Sequence, residues 1–479
     1  MAISRITFGE WTPDQPGISN GLRRAENVYS KLIGYGGIPS VVDYSLAASE
    51  NLTNVVAGKT TAGATSVFAG GSTKLFKLDS GDLSLDNVSK SGNYSTATDE
   101  RWRFTQFGSV IIAANGQAKI QGYNLNSSSL FADLAADAPT SKYVTVVRDF
   151  VVSGYPVGYP NRVQWSALGD ESSWTPSATT QADFQDIPDG GSVVGVTGGE
   201  FGLVFMDRSI QRMSYVGSPL VFQFDNITRN LGCYEANSII QYGGTTFFLG
   251  DDGFYACDGQ QIIPIGNEKI NRFFFDNVDE GTLYLMSAAV DPAKKLIIWA
   301  YASNSSATPD KLLIYNFQTQ KWTSGTTSID RIASTSTPAV TLEGMDVYGT
   351  LDTILTTFDS RLWLGGRLLL AGVDGAKIVT FTGANSTAYL ETGDIEMPGT
   401  TSAITMVKPI VDDGSASVAL LSRRLLSEST VFGSQTAADA ENRVSVRGVG
   451  RYHRLQLTPT GSWTSAVGMD IDLSPLGTR

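Results

Sequence analysis

The chain is poor in the side chains that carry most enzyme chemistry. Among 479 residues there is one histidine, His453, and there are two cysteines, Cys233 and Cys257. His453 lies in the basic stretch Gly450-Arg451-Tyr452-His453-Arg454-Leu455, with no Ser or Cys nucleophile evident beside it, so a catalytic triad is not expected. No group of His and Cys has metal-ligand spacing. Two cysteines are too few to frame a secreted disulfide scaffold, and two buried thiols are favoured over a pair across a hairpin. No run of about 18 apolar residues exists, as a membrane-spanning helix would need. Residues 1–11 carry no basic stretch followed by an apolar one, so neither a secretory signal nor stable membrane association is expected. Charged residues make up only 17%, and 47 acids against 35 bases leave a formal charge of −12. Nothing in that balance resembles the basic stripe that grips phosphates, so stable nucleic-acid binding is not expected.

What is present is a repeat. Six times between residues 67 and 301 a short apolar run meets a Gly- or Asp-bearing turn and a second apolar run. The runs begin at Val67, Val110, Val151, Leu203, Phe247 and Leu296, in steps of 43, 41, 52, 44 and 49 residues. Several short strands repeating every ~40–50 residues mark propeller blades, small antiparallel sheets that stack around an axis because none can bury both faces alone. Fifty glycines and 42% hydrophobic residues fit a turn-rich, packed, all-β chain. Asn115-Gly116 between two apolar runs reads as a tight hairpin, and Asp252-Gly253 as another turn. A further unit at residues 361–382 (Leu362-Trp363-Leu364, Gly365-Gly366, then 368–371 and 378–381) resembles a late blade. The expectation is six blades, with seven as the alternative.

The chain divides into an arm at residues 1–45, a propeller at 46–387 and a β-sandwich or platform domain at 388–479, where the period breaks into shorter strands. A short helix is expected at residues 22–29, with Asn20 as its cap. The arm, aromatic and proline-bearing around Phe8, Trp11 and Pro13, has no core of its own. It either docks on a neighbouring protein or subunit, or straps the chain's own propeller. Arg447, Arg451 and Arg454 form a basic strip, read as contact with an acidic partner or as charge balance within the platform.

Other motifs read as structure. Asp251-Asp252-Gly253 and Asp412-Asp413-Gly414 lack the spaced oxygens of a calcium loop. The glycines at 34–37 and 195–199 lack a phosphate-binding pattern. Paired carboxylates remain open among 47 acids, and Trp165 and Trp174 are candidates for stacking on sugars. A carbohydrate-binding or glycoside-hydrolysing propeller is therefore the alternative function.

Several ordered fragments resemble one family, the tail hub or nozzle (packaged-DNA stabilisation) proteins of short-tailed bacteriophages. They are Phe8-Gly9-Glu10-Trp11 with Asn20, Ala25-Glu26-Asn27-Val28 and Gly34-Tyr35; Arg162-Val163-Gln164-Trp165-Ser166-Ala167-Leu168-Gly169-Asp170 with Ser173-Trp174; Met206-Asp207-Arg208-Ser209-Ile210 and Gly232; Phe248-Leu249-Gly250-Asp251-Asp252-Gly253-Phe254-Tyr255 and Pro264-Ile265-Gly266; and Arg447, Gly450-Arg451-Tyr452-His453-Arg454, Trp463, Ala466 and Gly468. The resemblance implies a homo-hexameric tube below a head-to-tail adaptor. Fibre, spike or needle proteins would be further partners, and viral double-stranded DNA would pass without sequence-specific binding. It implies a virion tail location after assembly in the bacterial cytoplasm, with no catalytic residue and no cofactor. Six copies at −12 each carry −72, which would repel exiting phosphates.

Overall fold

The computed structural model describes residues 2–16, 21–340, 343–350, 352–354, 356–397 and 399–477. Seven four-stranded antiparallel units succeed one another from residue 52 to residue 380, and they form a β-propeller. Their first strands are Leu52–Lys59, Arg103–Phe107, Ser141–Val147, Val193–Thr197, Ile240–Tyr242, Ser287–Asp291 and Arg331–Thr335.

The six recurring apolar runs all fall in second strands: Thr65–Gly71, Val110–Ala114, Phe150–Pro156, Gly202–Met206, Thr245–Leu249 and Leu296–Tyr301. A second strand lies inside its sheet and between two neighbouring blades, so both its faces are covered. Every residue of Gly202–Met206 and Leu296–Tyr301 is buried. This is why apolar runs, rather than alternating patterns, marked the repeat.

Of the two expected counts, seven is the one the sheets present. The seventh second strand, Leu369–Asp374, begins far beyond the usual step from Leu296 because a long insertion precedes it. Its partner is Lys377–Thr380, and Leu362-Trp363-Leu364, expected as strand, lies in a helical turn, Arg361–Leu364. Ser360 starts that turn by accepting the Leu362 N–H at 3.2 Å. The fourth strand of this blade is Val42–Asp43, pairing with Thr380 and Val379, so the chain's beginning closes the ring. The Asn115-Gly116 turn is also wider than a two-residue hairpin. Ala113 pairs with Gln121, and the buried Asn115 side chain accepts the Gln117 and Ala118 N–H groups.

The second domain is a β-sandwich. In one sheet, Thr401–Asp412 lies between Val444–Gly450 and Ser465–Gly477. In the other, Ser415–Arg423 pairs with Tyr452–Thr460. The chain crosses between sheets at Asp413-Gly414, where Asp413 takes φ 59°.

Residues 2–16 and 21–43 are built into both domains, which is the strap of the two expectations for the arm. Ala2–Thr7 pairs along Ser465–Gly477. Arg24–Glu26 joins the last strand of the sixth blade, Lys321–Thr326, to the sandwich strand Tyr389–Glu391, fusing two sheets. The expected helix at 22–29 is instead extended chain. Leu22, Ala25 and Val28 are all buried, a period of three that mimics a helical stripe. The left-handed backbone at Asn27, φ 58°, lies between the strands Arg24–Glu26 and Val28–Ser30 and shifts the buried side from Ala25 to Val28. Asn20 lies outside the described residues. A single apolar core runs from Phe8, Trp11 and Val28 through Phe254, Trp299 and Trp322 to Leu455 and Ile471.

Candidate functional site

The first strands of all seven blades line an axial cavity of about 330 Å³. One end of it is crossed by an arginine side chain. Arg101 precedes the first strand of the second blade, and its Nε donates to Asn237 Oδ1 at 2.7 Å. Its Nη2 donates to the Met286 carbonyl at 2.5 Å. Asn237 leads into the fifth blade and Met286 into the sixth, so the guanidinium spans the ring to the blades opposite. The axis is therefore closed at this end by a strut, and the remaining space suits a small molecule, not a duplex.

Charges gather around the strut. Glu100 receives Arg103 Nη1 at 2.8 Å and Lys142 Nζ at 2.6 Å. Arg103 also lies over the Tyr143 ring, 4.6 Å from its centroid, and donates to Asn237 Oδ1 at 3.0 Å. Glu235 starts the short turn Ala236–Ser238 by accepting the Asn237 N–H at 2.9 Å. Burial pushes the Glu235 carboxyl upward, against that hydrogen bond and the charges of Arg101 and Arg103. Burial, then the like charges of Arg331 and Arg103, pulls Arg101 well below the usual guanidinium range. Sequence reading missed this cluster. Its one local trace is the dense run Asp99-Glu100-Arg101 just ahead of a blade, in a chain where charge is sparse.

The expected contact residues are not brought together. Phe8 and Trp11 are 7% and 2% exposed, inside the chain's own core, and so cannot serve as docking side chains. Phe8 packs edge-on to Tyr35, and Trp11 packs edge-on to Phe273 at 5.2 Å. Pro13 is half-buried, and the next residue, Asp14, receives the Arg272 and Phe273 N–H groups at the start of the helix Asn271–Asn277. Arg454 is likewise internal. It pairs with Asp394 at 2.9 Å and Glu391 at 3.3 Å, which makes it charge balance within the sandwich. Arg423 holds the same Asp394 at 2.7 Å. Arg451 is exposed, 3.9 Å from Glu396. Arg447 is exposed on Val444–Gly450.

The remaining chemical candidates are structural. His453 is fully buried between Ser402 (3.0 Å to Nε2) and Ser422 (2.8 Å to Nδ1), and burial lowers its pKa. Cys233 and Cys257 are free and buried. Trp165 and Trp174 are 2% and 0% exposed and donate to the Gln181 and Glu171 carbonyls, so neither can stack on a sugar. No carboxylate is among the described residues lining the axial cavity. Among the described residues no group of three or more His, Cys, Asp or Glu is placed to hold a metal ion. No helix among them is long and apolar enough to cross a membrane.

Large apolar side chains are left on loop tips. Leu32 and Ile33, 78% and 72% exposed, cap the turn between Val28–Ser30 and Tyr35–Gly37. Leu425 and Val431, 61% and 76% exposed, lie in the loop after Ser415–Arg423.

No protein-family model and no curated protein matches the chain. Solved structures that resemble it include the extracellular domain of BT4673 from B. thetaiotaomicron, at TM-score 0.42 and 12% identity over 86% of this chain. This chain spans 48% of that one. The Neurospora crassa Pan2 WD40 domain aligns at TM-score 0.40 and 6% identity, over 71% of this chain and 95% of its own. The computationally designed Ika8 protein aligns at TM-score 0.38 and 9% identity, over 70% and 98%.

Proposed function

We propose that the chain is a non-enzymatic virion component, the subunit of a hexameric tail nozzle below a head-to-tail adaptor. The reading rests first on the ordered fragments that resemble this family. The observation that carries it furthest in the structure is the set of apolar tips, Leu32, Ile33, Leu425 and Val431, left uncovered on a sandwich that shares one core with the propeller. Such side chains suit burial against neighbours. A rigid two-domain body suits a ring that must bear pressure. The genome's path in this reading is the axis of six copies, not the strut-closed propeller axis. With −12 per chain, a path faced by acidic surface repels phosphates and lets DNA slide.

The test is negative-stain imaging and native mass measurement of the purified chain, alone and with a phage adaptor. Six-fold rings support the reading, and Leu32→Ser with Ile33→Ser is expected to weaken them. A chain that remains a monomer at high concentration, with and without adaptor, overturns it.

A further inference from the structure

The axial cavity faces a buried guanidinium that has no ion-pair partner among the described residues. Arg101 is only 8% exposed, and both of its hydrogen-bond acceptors, Asn237 Oδ1 and the Met286 carbonyl, are uncharged. Asn237 Oδ1 is moreover shared with the Arg103 guanidinium. No carboxylate forms an ion pair with Arg101 among the described residues. Glu100 is taken by Arg103 and Lys142, and Glu235 is turned to the Asn237 N–H. A second guanidinium, Arg331, begins the first strand of the seventh blade, and its Nε is buried without a partner. Arg101 Nη1 donates to no atom of the described residues, and Arg101 lines the cavity.

Burying a charge is unfavourable unless it is paired. Arg101 lines the cavity, the charge of Arg331 acts on it from beside that end, and no carboxylate is among the described lining residues, so that end is a receptor for negative charge. We propose that the axial cavity binds one small oxyanion, a carboxylate or a phosphate group, against Arg101. Its volume of about 330 Å³ lies at the lower end of the range for small-molecule pockets. Val56, Phe104, Val144 and Ile240 give it apolar walls, and Thr197 supplies a hydroxyl, so an anion with a compact apolar body fits best. Charge-assisted hydrogen bonds of this kind are stronger than neutral ones. The site is separate from the assembly role proposed above and stands or falls independently of it.

The experiment is calorimetric titration of the full chain with inorganic phosphate and, separately, benzoate, at constant ionic strength set by chloride. Saturable binding of one anion per chain, accompanied by a higher unfolding temperature, is expected; which probe binds identifies the anion class. Arg101→Gln is expected to weaken binding at least tenfold. Because that change also removes the strut, Arg331→Gln, which leaves the Arg101 hydrogen bonds in place, provides a second reading, with binding weakened several-fold. If neither probe saturates the unaltered chain, the proposal fails. It fails equally if an anion binds as tightly to a folded Arg101→Gln chain, or to Arg331→Gln, as to the original.

Discussion

Trp11→Ala separates a strap from a docking arm. Trp11 is 2% exposed, its ring lies edge-on to Phe273 at 5.2 Å, and its Nε1 donates to the Arg23 carbonyl at 3.2 Å. A buried tryptophan removes roughly 150–250 Å² from water. At ~25 cal/mol per Å² that is about 4–6 kcal/mol, less what alanine retains and what the site recovers by relaxing. The hydrogen bond adds about 1 kcal/mol. The expected loss is therefore ~3–5 kcal/mol, borne by the core that joins sandwich and propeller. Calorimetry and far-UV circular dichroism against urea are the assays, read at the first unfolding transition because two domains need not unfold as one. Ile33→Ser, at a 72% exposed tip, is the control and is expected to stay within about 0.5 kcal/mol of the original. An unchanged transition in Trp11→Ala, together with failure of copies to associate, would show that Trp11 serves a neighbour and would refute the strap.

Three further outcomes follow from buried groups and close contacts. Asp394→Asn leaves the buried Arg423 and the half-buried Arg454 with a weakened partner, and a cost of ~3–5 kcal/mol is expected in urea unfolding. Burial alone would raise the Asp394 carboxyl, but hydrogen bonds from Arg454 and Arg423 hold it below the usual range. Its contribution is thus complete above about pH 4, the unfolded value, and lost as pH falls through the lower folded one, so acid unfolding of Asp394→Asn is expected to be flatter there. His453 is also depressed, by burial. Stability is expected to be level above about pH 6.5 and to fall below it by up to ~1.4 kcal/mol per pH unit, a slope that His453→Gln removes; urea titrations from pH 5 to 8 measure it. At Gly198 a Cβ would run into the Val146 carbonyl between the third and fourth blades, whereas at Gly244 it would meet open space. Gly198→Ala is expected to cost about 1–3 kcal/mol and Gly244→Ala almost nothing, as read from unfolding midpoints.

The parts of this fold that were legible in the sequence are those whose burial is local and complete. Second strands such as Gly202–Met206 and Leu296–Tyr301 stood out because every residue is buried. Outermost strands such as Asp183–Asp186 and Ala132–Asp133 face solvent at the rim and carry no apolar pattern, so they passed unseen. The seventh blade was obscured by its insertion and by borrowing Val42–Asp43 from the other end of the chain. Arg101 was illegible for a sharper reason. Its acceptor Met286 is 185 positions away, and only closure of the ring brings the two together.

Ring closure and domain docking are one structural event in this chain. Val42–Asp43 forms only two pairings with the seventh blade, too few to hold a ring shut by themselves. The strand is held on both sides: Tyr44 and Ser45 after it donate their N–H groups to the Ile378 carbonyl, and a longer set of contacts precedes it. Asn27 donates its backbone N–H to Ser324, accepts the Thr326 N–H and donates to Thr387. Arg24–Glu26 is bound into the fused sheet, and Ala2–Thr7 is zipped along the sandwich. Pulling the sandwich away therefore loads the strand that closes the propeller, and opening the propeller strips a strand path that also anchors the sandwich. Coupling of that kind raises the cooperativity of the whole body, because neither domain can yield without loss of contacts in the other.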